Sequence, residues 1–511
     1  MASLLAPNNR APGPAPTEEI TLALRKPEQY RQSLRDGRAV YFRGQSVSDV
    51  TTHPVIGVAV SHASIDYEMT EDPAYRDLAV VSHGEGAPYS RYYKLPADAD
   101  DLLKRSALIE EATTLGKTLV VLIKEIGTDA LFGLHLVAQQ MDQKLGTSYL
   151  SRVQRFYEHC RDNDLSLAVA QTDVKGDRSK GPVEQVHPDY YVRIVERRDD
   201  GIVVRGAKCH TSNTTHVDEV IVLPTRAMAE ADSDYAVAFA IPVNTPGLKL
   251  LASPFGSAGQ EERSEFEFPI TARHKMMETT TVFDDVFVPW DRVFLAGEYQ
   301  FAGPLALGFV EFHRFTAISY KLPLVDALVG AAQLMADMNG IGRAAHVRDK
   351  LIRLISYAET LRGLTHHAAL RCRIGELGIA VPDALTVNMA KYHFAHNYHE
   401  AVGMVQDIAG GLLVTGPGVE DVESEEIGPY LLKYYGGRTG VGGRERLQAI
   451  NFVKELTSSE YGGYQEVLAI HAEGSLEAEK LMISRAYDGT RTLDLVRRMA
   501  GLPVKVQLAR A

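Results

Sequence analysis

Apolar residues follow two different rhythms along this chain, and the rhythm changes twice. Up to about residue 150 the spacing is helical. The segment 18–37 reads as an entry helix ending near Asp36 and Gly37, and 98–143 as a long helical stretch with Asp98 or Asp100 as its N-cap. From 151 to 297 the rhythm is that of short β-branched runs: Tyr190 to Glu196, Gly201 to Gly206, Val217 to Leu223 and Tyr235 to Ile241. Arg198-Asp-Asp-Gly201 joins the first two as a hairpin turn. From 298 the helical period returns. Val347, Leu351, Leu354, Ile355, Ala358, Leu361 and Leu364 keep it over about five turns, and 322–340, 383–414, 443–460 and 475–500 behave alike. This order predicts an α+β protein with four parts: a flexible tail (1–20), an N-terminal helical domain (21–150), a central antiparallel β domain (151–297) and a C-terminal helical bundle (298–511).

The chain has 511 residues, 45% hydrophobic, enough for a large core. Asp plus Glu number 66 against 54 Lys plus Arg, a net charge of -12. That balance argues against nucleic acid or an anionic membrane as the main partner. Cys160, Cys209 and Cys372 form no CxxC pair, so free thiols in a reducing cytoplasm are expected. Two absences are read the same way: no unbroken apolar run of about eighteen residues to span a membrane, and no basic-then-apolar opening to serve as a secretion signal. No G-x-G-x-x-G opens a βαβ unit, so no NAD(P)H-binding domain is expected.

Several motifs carry candidate chemistry. Lys175-Gly-Asp-Arg-Ser-Lys180 packs three cations into a turn, which suits an oxyanion or is an ordinary charged turn. Lys208-Cys-His-Thr-Ser-Asn213 leaves a strand with hydroxyls and an amide available for a ligand or for turn formation. Tyr461-Gly-Gly-Tyr-Gln465 is read near the end of a helix, where two glycines allow close approach of a ligand or simply cap the helix. His313 stands beside Arg314, with Lys321 two helical turns on; it is a packed core histidine or a proton shuttle. His393 and His396 share a helix face but His399 turns away, so a polar face and no metal site is expected there. Trp290 is read as packing of the β domain.

Seven blocks in order resemble one family: LRDGRAVYFRG (34–44), TDVKGDRSKGP (172–182), DGIVVRGAKCHTSNTTH (200–216), TVFDDVFVPWDRVF (281–294), FHRFTAISYK (312–321), DIAGGLLVTGP (407–417) and SSEYGGYQE (458–466). Together they look like the 4-hydroxyphenylacetate 3-hydroxylase superfamily. The resemblance implies an acyl-CoA dehydrogenase-like fold and a flavin. It also implies one of two chemistries: the oxygenase component of a two-component aromatic hydroxylase, or a 4-hydroxybutyryl-CoA dehydratase, which adds a [4Fe-4S] cluster.

By this resemblance Val169, Ala170 and Gln171, then Lys175, Gly176, Asp177 and Arg178, border the flavin. Thr211, with Ser212 its rival, meets the N5/O4 edge of the ring. Gly462, Gly463, Tyr464 and Gln465 contact it from the C-terminal region. Arg105 falls where the hydroxylases face a phenol with an arginine, a cation able to stabilise a phenolate; the alternative is a surface arginine. A tyrosine and a histidine of that phenol site fall at Ile109 and Val169, so a more apolar pocket is expected. On the dehydratase side the cluster cysteines fall at Val121, Glu125 and Tyr320, a tyrosine at Ala317 and a C-terminal glutamate at Leu468. A cluster needs thiolate sulfur, which these residues cannot supply.

The resulting expectation is an FAD-dependent monooxygenase without an iron-sulfur cluster. FADH2 comes from a separate flavin reductase and O2 is the co-substrate. A flavin C4a-hydroperoxide hydroxylates a small aromatic or heteroaromatic compound, with Arg105, His313 and Lys321 as the catalytic polar groups. A cytoplasmic homotetramer is expected. The alternatives are a cluster-free dehydratase-like lyase or vinylacetyl-CoA isomerase, and a non-enzymatic assembly partner.

Overall fold

The computed structural model describes residues 24–82, 87–254 and 264–503. Helices flank a β region on both sides in the chain, as the periodicity predicts. The β region is two sheets. The larger contains β1 (Val40–Phe42), β2 (Gln45–Val47), β4 (Arg193–Arg197), β5 (Gly201–Ser212), β8 (Leu248–Pro254) and β9 (Met277–Pro289), in the order β2-β1-β8-β9-β5-β4. The smaller contains β3 (Leu167–Ala170), β6 (Glu219–Val222), β7 (Val237–Pro242) and β10 (Val293–Ala296), in the order β10-β7-β6-β3.

The expectation of a purely antiparallel unit is corrected twice. β1 comes from the N-terminal region and pairs in parallel with β8, and β3 pairs in parallel with β6. β3 and β6 are buried along their whole length, the pattern of strands covered on both faces. The turn at Arg198 forms as read, its N–H donating to Gly201 O at 2.8 Å.

The long stretch 98–143 is two helices, α1 (Ala99–Leu115) and α2 (Glu125–Leu145). Asp98 caps α1 by accepting from the Asp101 N–H at 3.0 Å. Between the helices Lys117, Thr118 and Leu122 adopt positive φ angles of 51°, 77° and 58°, which no helix tolerates. The C-terminal bundle contains α3 (Ala302–Tyr320), α4 (Leu322–Met338), α5 (Ala345–Leu370), α6 (Ala384–Ala409), α7 (Gly443–Ser458), α8 (Glu460–His471), α9 (Leu476–Ala486) and α10 (Thr490–Met499). The entry helix is the short Pro27–Ser33; its earlier part lies outside the described residues. By length and composition alone Tyr299–Met338 passes as a membrane-crossing stretch, although Glu311, Arg314 and Lys321 interrupt its apolar residues. Of its most apolar window 78% is buried in the bundle, as in a core helix.

One crossing positions the chemistry. A Cβ at Gly133 would lie 2.8 Å from the backbone carbonyl carbon of Gly308, so only glycine lets α2 and α3 approach this closely. One turn to either side, this brings Asp129 on α2 against His313 on α3.

Candidate functional site

The α2–α3 crossing builds the first half of the site. Asp129 is buried. Its Oδ1 accepts from Arg105 Nη2 at 2.7 Å and Thr316 Oγ1 at 3.0 Å, and its Oδ2 meets His313 Nδ1 at 3.2 Å. Arg105 also donates to the carbonyls of Tyr92 and Glu125 and to Thr128 Oγ1. Its guanidinium is therefore committed to Asp129 and to ordering the start of α2. It is not a surface arginine, and it acts on the site through Asp129. Phe309 stacks on the His313 ring at 5.0 Å. An ionised Asp129 requires the proton on Nδ1, which leaves Nε2 as the basic nitrogen.

The second half forms where α3 ends. Glu473, on the turn after α8, accepts from Tyr320 Oη and pairs with Lys321 Nζ at 3.0 Å and Lys391 Nζ at 3.7 Å. All four side chains are buried. Burial opposes the Glu473 charge, but Lys321, Lys391, His313 and Tyr320 outweigh it and hold the carboxyl at about 2. Lys321 is pushed down to about 8 by burial, against the pull of Glu473. The two shifts are unequal because one carboxylate receives two ammonium groups, while the ammonium groups share one principal anion and repel each other. The resemblance placed a family glutamate at Leu468; the structure brings a different one, Glu473, into the site.

A third group lies across β5 and β9. Ser212 and Glu278 are opposite one another in the ladder, and Ser212 Oγ donates to Glu278 Oε1 at 2.9 Å. Tyr464 Oη reaches the same oxygen at 3.5 Å. Burial pushes Glu278 up to about 7, partly offset by the hydrogen bonds from Ser212 and Tyr464. Glu278 Oε2 and the neighbouring Thr211 Oγ1 are buried without a hydrogen-bond partner. Such atoms cost free energy unless a ligand or water satisfies them. The three groups are electrostatically continuous: Tyr464 feels both Glu278 and Glu473, and Tyr320 feels both Tyr464 and Asp129.

The other sequence candidates lie on several elements. Val169 and Ala170 are buried at the end of β3. Gln171 follows, its carbonyl accepting from Lys208 Nζ at 2.8 Å and Thr225 Oγ1 at 2.7 Å. Lys208 also forms a buried pair with Asp173 at 2.8 Å, which ties this segment to β5 and Thr211. The loop beyond it is exposed. Lys175 and Gly176 have φ of 74° and 54°, Asp177 caps Ser179, and Arg178 lies at the surface. Gly462 and Gly463 lie in the first turn of α8, at its N-terminal end, so neither caps a helix C-terminus. A Cβ on Gly462 would meet the Thr457 backbone at 2.8 Å, so that glycine serves helix packing, while Gly463 faces open space. Gln465 donates to Tyr461 Oη at 2.9 Å. His393 Nε2 meets Tyr357 O, and Trp290 Nε1 donates to Arg198 O. Among the described residues no group of three or more His, Cys, Asp or Glu side chains could hold a metal ion.

Asp129, Glu278 and Glu473 are the site residues the sequence reading missed. Each is a lone carboxylate where apolar or small residues dominate: GTDALFG, METTTV and HAEGS. That contrast is the signal that could have found them.

The unsatisfied Thr211 hydroxyl and Glu278 oxygen belong to successive cross-strand pairs and so to opposite faces of the ladder, Glu278 with Ser212 and Tyr464 and Thr211 with Thr279. The Thr211 hydroxyl fits the polar edge of a flavin ring. We expect Thr211→Val to raise the flavin Kd roughly tenfold, the worth of one hydrogen bond. The same change should leave the thermal stability of flavin-free protein equal or slightly higher, because a buried orphan is removed. Fluorescence titration and a melting curve check both signs. The residues at the cluster positions do not fit a [4Fe-4S] group. Val121 is apolar, Glu125 is a carboxyl that burial pushes up, and Tyr320 is a phenol bonded to Glu473. The Cys160 thiol is in a helix of the β region, Cys209 donates to Asp173 O, and Cys372 follows α5.

Comparison with known proteins shows which family the chain resembles over its length. Residues 26–295 match the model of the 4-hydroxyphenylacetate 3-hydroxylase N terminal, and residues 302–501 that of the C terminal. The 4-hydroxybutyryl-CoA dehydratase/vinylacetyl-CoA-Delta-isomerase of Clostridium aminobutyricum is 34% identical, over 93% of this chain and 99% of its own. The 4-hydroxyphenylacetate 3-monooxygenase oxygenase component of Thermus thermophilus is 28% identical, over 84% and 87%. Among solved structures, the oxygen-tolerant archaeal 4-hydroxybutyryl-CoA dehydratase from N. maritimus superposes with a TM-score of 0.87 at 29% identity, covering 96% of this chain and 97% of its own. The oxygenase component of 4-hydroxyphenylacetate 3-monooxygenase complexed with FAD superposes with a TM-score of 0.85 at 25% identity, covering 93% and 98%.

Proposed function

The chain belongs to the 4-hydroxyphenylacetate 3-hydroxylase family, and within it we propose a reduced-flavin-dependent monooxygenase acting on a small electron-rich aromatic or heteroaromatic compound. One observation carries this reading. Asp129, His313, Lys321 and Glu473 form a buried acid–base set, yet the three positions that the resemblance assigns to a cluster hold Val121, Glu125 and Tyr320. Reduced FAD, delivered by a separate reductase, supplies two electrons to O2, so that one oxygen atom enters the substrate and the other leaves as water.

The chain's own residues provide the rest. Thr211 holds the polar edge of the flavin, with Val169 to Gln171 and the Lys175–Arg178 loop bordering it, while Ser212, Glu278 and Tyr464 form a hydrogen-bonded group on the other face of the ladder. His313 Nε2 takes the proton from a substrate hydroxyl, and Asp129 stabilises the resulting imidazolium. Lys321 lies beside the site as a cation that favours the anionic, more reactive form of the substrate. The apolar surroundings, Phe309 and Phe312 with Phe132, exclude water. A homotetramer is part of the proposal, supported by the exposed apolar residues Leu493, Val496 and Met499 on α10, a helix with no buried residue.

A second reading, a cluster-free acyl-CoA isomerase or lyase, is favoured by the 34% identity to the dehydratase. The test is to mix the protein with FADH2 anaerobically, add oxygen, and follow both the transient absorbance of oxygenated flavin and product in a panel of phenols and heteroaromatics. We expect a transient that outlives free reduced flavin and a hydroxylated product. Immediate stoichiometric peroxide across the panel, together with anaerobic isomerisation of vinylacetyl-CoA by the FAD-loaded protein, would transfer the assignment to the second reading.

A further inference from the structure

Glu473 reaches Lys321 from an unusual turn. α8 ends at His471, and the next two residues after Ala472 lie in the left-handed half of backbone space: Glu473 at φ 55° and Gly474 at φ 120°. A glutamate rarely adopts that conformation, and such strain persists only where its surroundings enforce it. The enforcing group is Arg314, the neighbour of His313 on α3. Its Nε donates to Glu473 O at 2.8 Å and its Nη1 to Asn388 Oδ1 at 2.5 Å. Its Nη2 lies so close to the turn that a Cβ on residue 474 would sit 2.4 Å away. The chain on either side is tied down as well. Lys391 Nζ donates to Ala469 O at 2.8 Å and meets Glu479 Oε1 at 3.4 Å, and Ser475 caps α9 through the Ala478 N–H.

We propose that Arg314 is a positioning residue: its guanidinium clamps the Glu473-Gly474 turn and so sets the Glu473 carboxylate against Tyr320 and Lys321. Arg314 holds the backbone of residue 473, not its carboxylate, and acts on the chemistry only through Glu473. Gly474 is favoured twice over, by its φ of 120°, which strains any side chain, and by the guanidinium that fills the space a side chain would occupy. The C-terminal segment beyond α8 thereby joins groups from α1, α2, α3 and α6 at the site. The inference rests on the proposed function only in taking this pocket as the reacting one.

The experiment is a double-mutant cycle with two readouts, kcat and the melting temperature of the full-length holoprotein. Arg314→Lys keeps the charge but loses the planar fork that reaches both Glu473 O and Asn388. It should lower kcat at least tenfold while the flavin Kd, set around Thr211, stays within twofold. Gly474→Ala should lower both kcat and the melting temperature. The double variant should lose clearly less than the sum of the two single losses, because a lysine clears the space the new methyl needs. In a Glu473→Gln background Arg314→Lys should change kcat by less than twofold. Additive losses in melting temperature, or a wild-type kcat in Arg314→Lys, would overturn the clamp. If the wild-type protein oxygenates nothing, the functional reading fails, and the melting-temperature cycle still decides the clamp.

Discussion

Glu473→Gln is expected to destabilise the protein by about 3–5 kcal/mol and to lower kcat by roughly a hundredfold to ten-thousandfold. The carboxylate is shared by Lys321 at 3.0 Å and Lys391 at 3.7 Å, and Lys321 and Lys391 are 2% and 0% exposed. A glutamine can still accept from Tyr320, but its amide N–H groups would face two ammonium ions. Lys391 keeps Glu479 at 3.4 Å; Lys321 has no comparable second partner. Lys321, already held at about 8, should therefore lose its proton at lower pH than in the wild type.

The pH dependence follows with a definite sign. Glu473 is held at about 2 in the folded protein, below its ordinary 4.5. Its contribution, about 3 kcal/mol by linkage, is present above pH 4.5 and is lost as pH falls from there towards 2. The variant should lack this acid limb. Melting curves from pH 3 to 7, with turnover at neutral pH, check the prediction. Wild-type stability together with wild-type kcat would show that Glu473 is a bystander.

Much of this was readable before the structure, for reasons that separate local from non-local information. Helical and strand rhythms come from neighbours in sequence, so the helix–β–helix order and most bundle helices were visible. The break at Lys117–Leu122 was not, because LGKTLVVLIKE carries no proline and its left-handed residues are forced by packing between α1 and α2. The pairing of β1 with β8 joins residues about two hundred apart, and no period records that. His313, Lys321, Thr211 and Ser212 were found because a resemblance marks them. Their partners were not found, since partnership is spatial. Asp129 reads as one acid in an apolar helix, and only the Gly133–Gly308 approach turns it towards His313. Glu473 was missed for a related reason: its role depends on a strained turn and on Arg314, which lies 159 positions earlier in the chain. Arg105 shows the converse. The resemblance gave it a substrate to face, whereas its donors are occupied by Asp129, Thr128 and two carbonyls.

Asp129→Asn is the other change expected to act strongly, through the tautomer of His313. In the wild type Asp129 Oδ1 takes the Arg105 guanidinium at 2.7 Å and Oδ2 takes the His313 Nδ1 proton at 3.2 Å, leaving Nε2 free to accept a proton. An asparagine has one oxygen. The guanidinium and the Thr316 hydroxyl claim it, because turning the amide N–H groups towards a buried cation would cost far more. The amide N–H groups then face His313 Nδ1, which must become the acceptor, so the ring proton moves to Nε2. A histidine protonated there cannot remove the substrate proton, and a wrong tautomer of this kind costs up to about ten-thousandfold in kcat in a comparable histidine–aspartate pair. Arg105 loses its ion-pair partner, Asp129, at 4% exposure, so stability should fall by about 3–5 kcal/mol. Flavin affinity should change little, since Thr211 lies on β5. The ring-nitrogen shifts of selectively 15N-labelled histidine report the tautomer directly. The assignment of His313 as the base would collapse if its Nε2 stayed unprotonated in the variant while turnover was still lost, or if the tautomer reversed and turnover persisted.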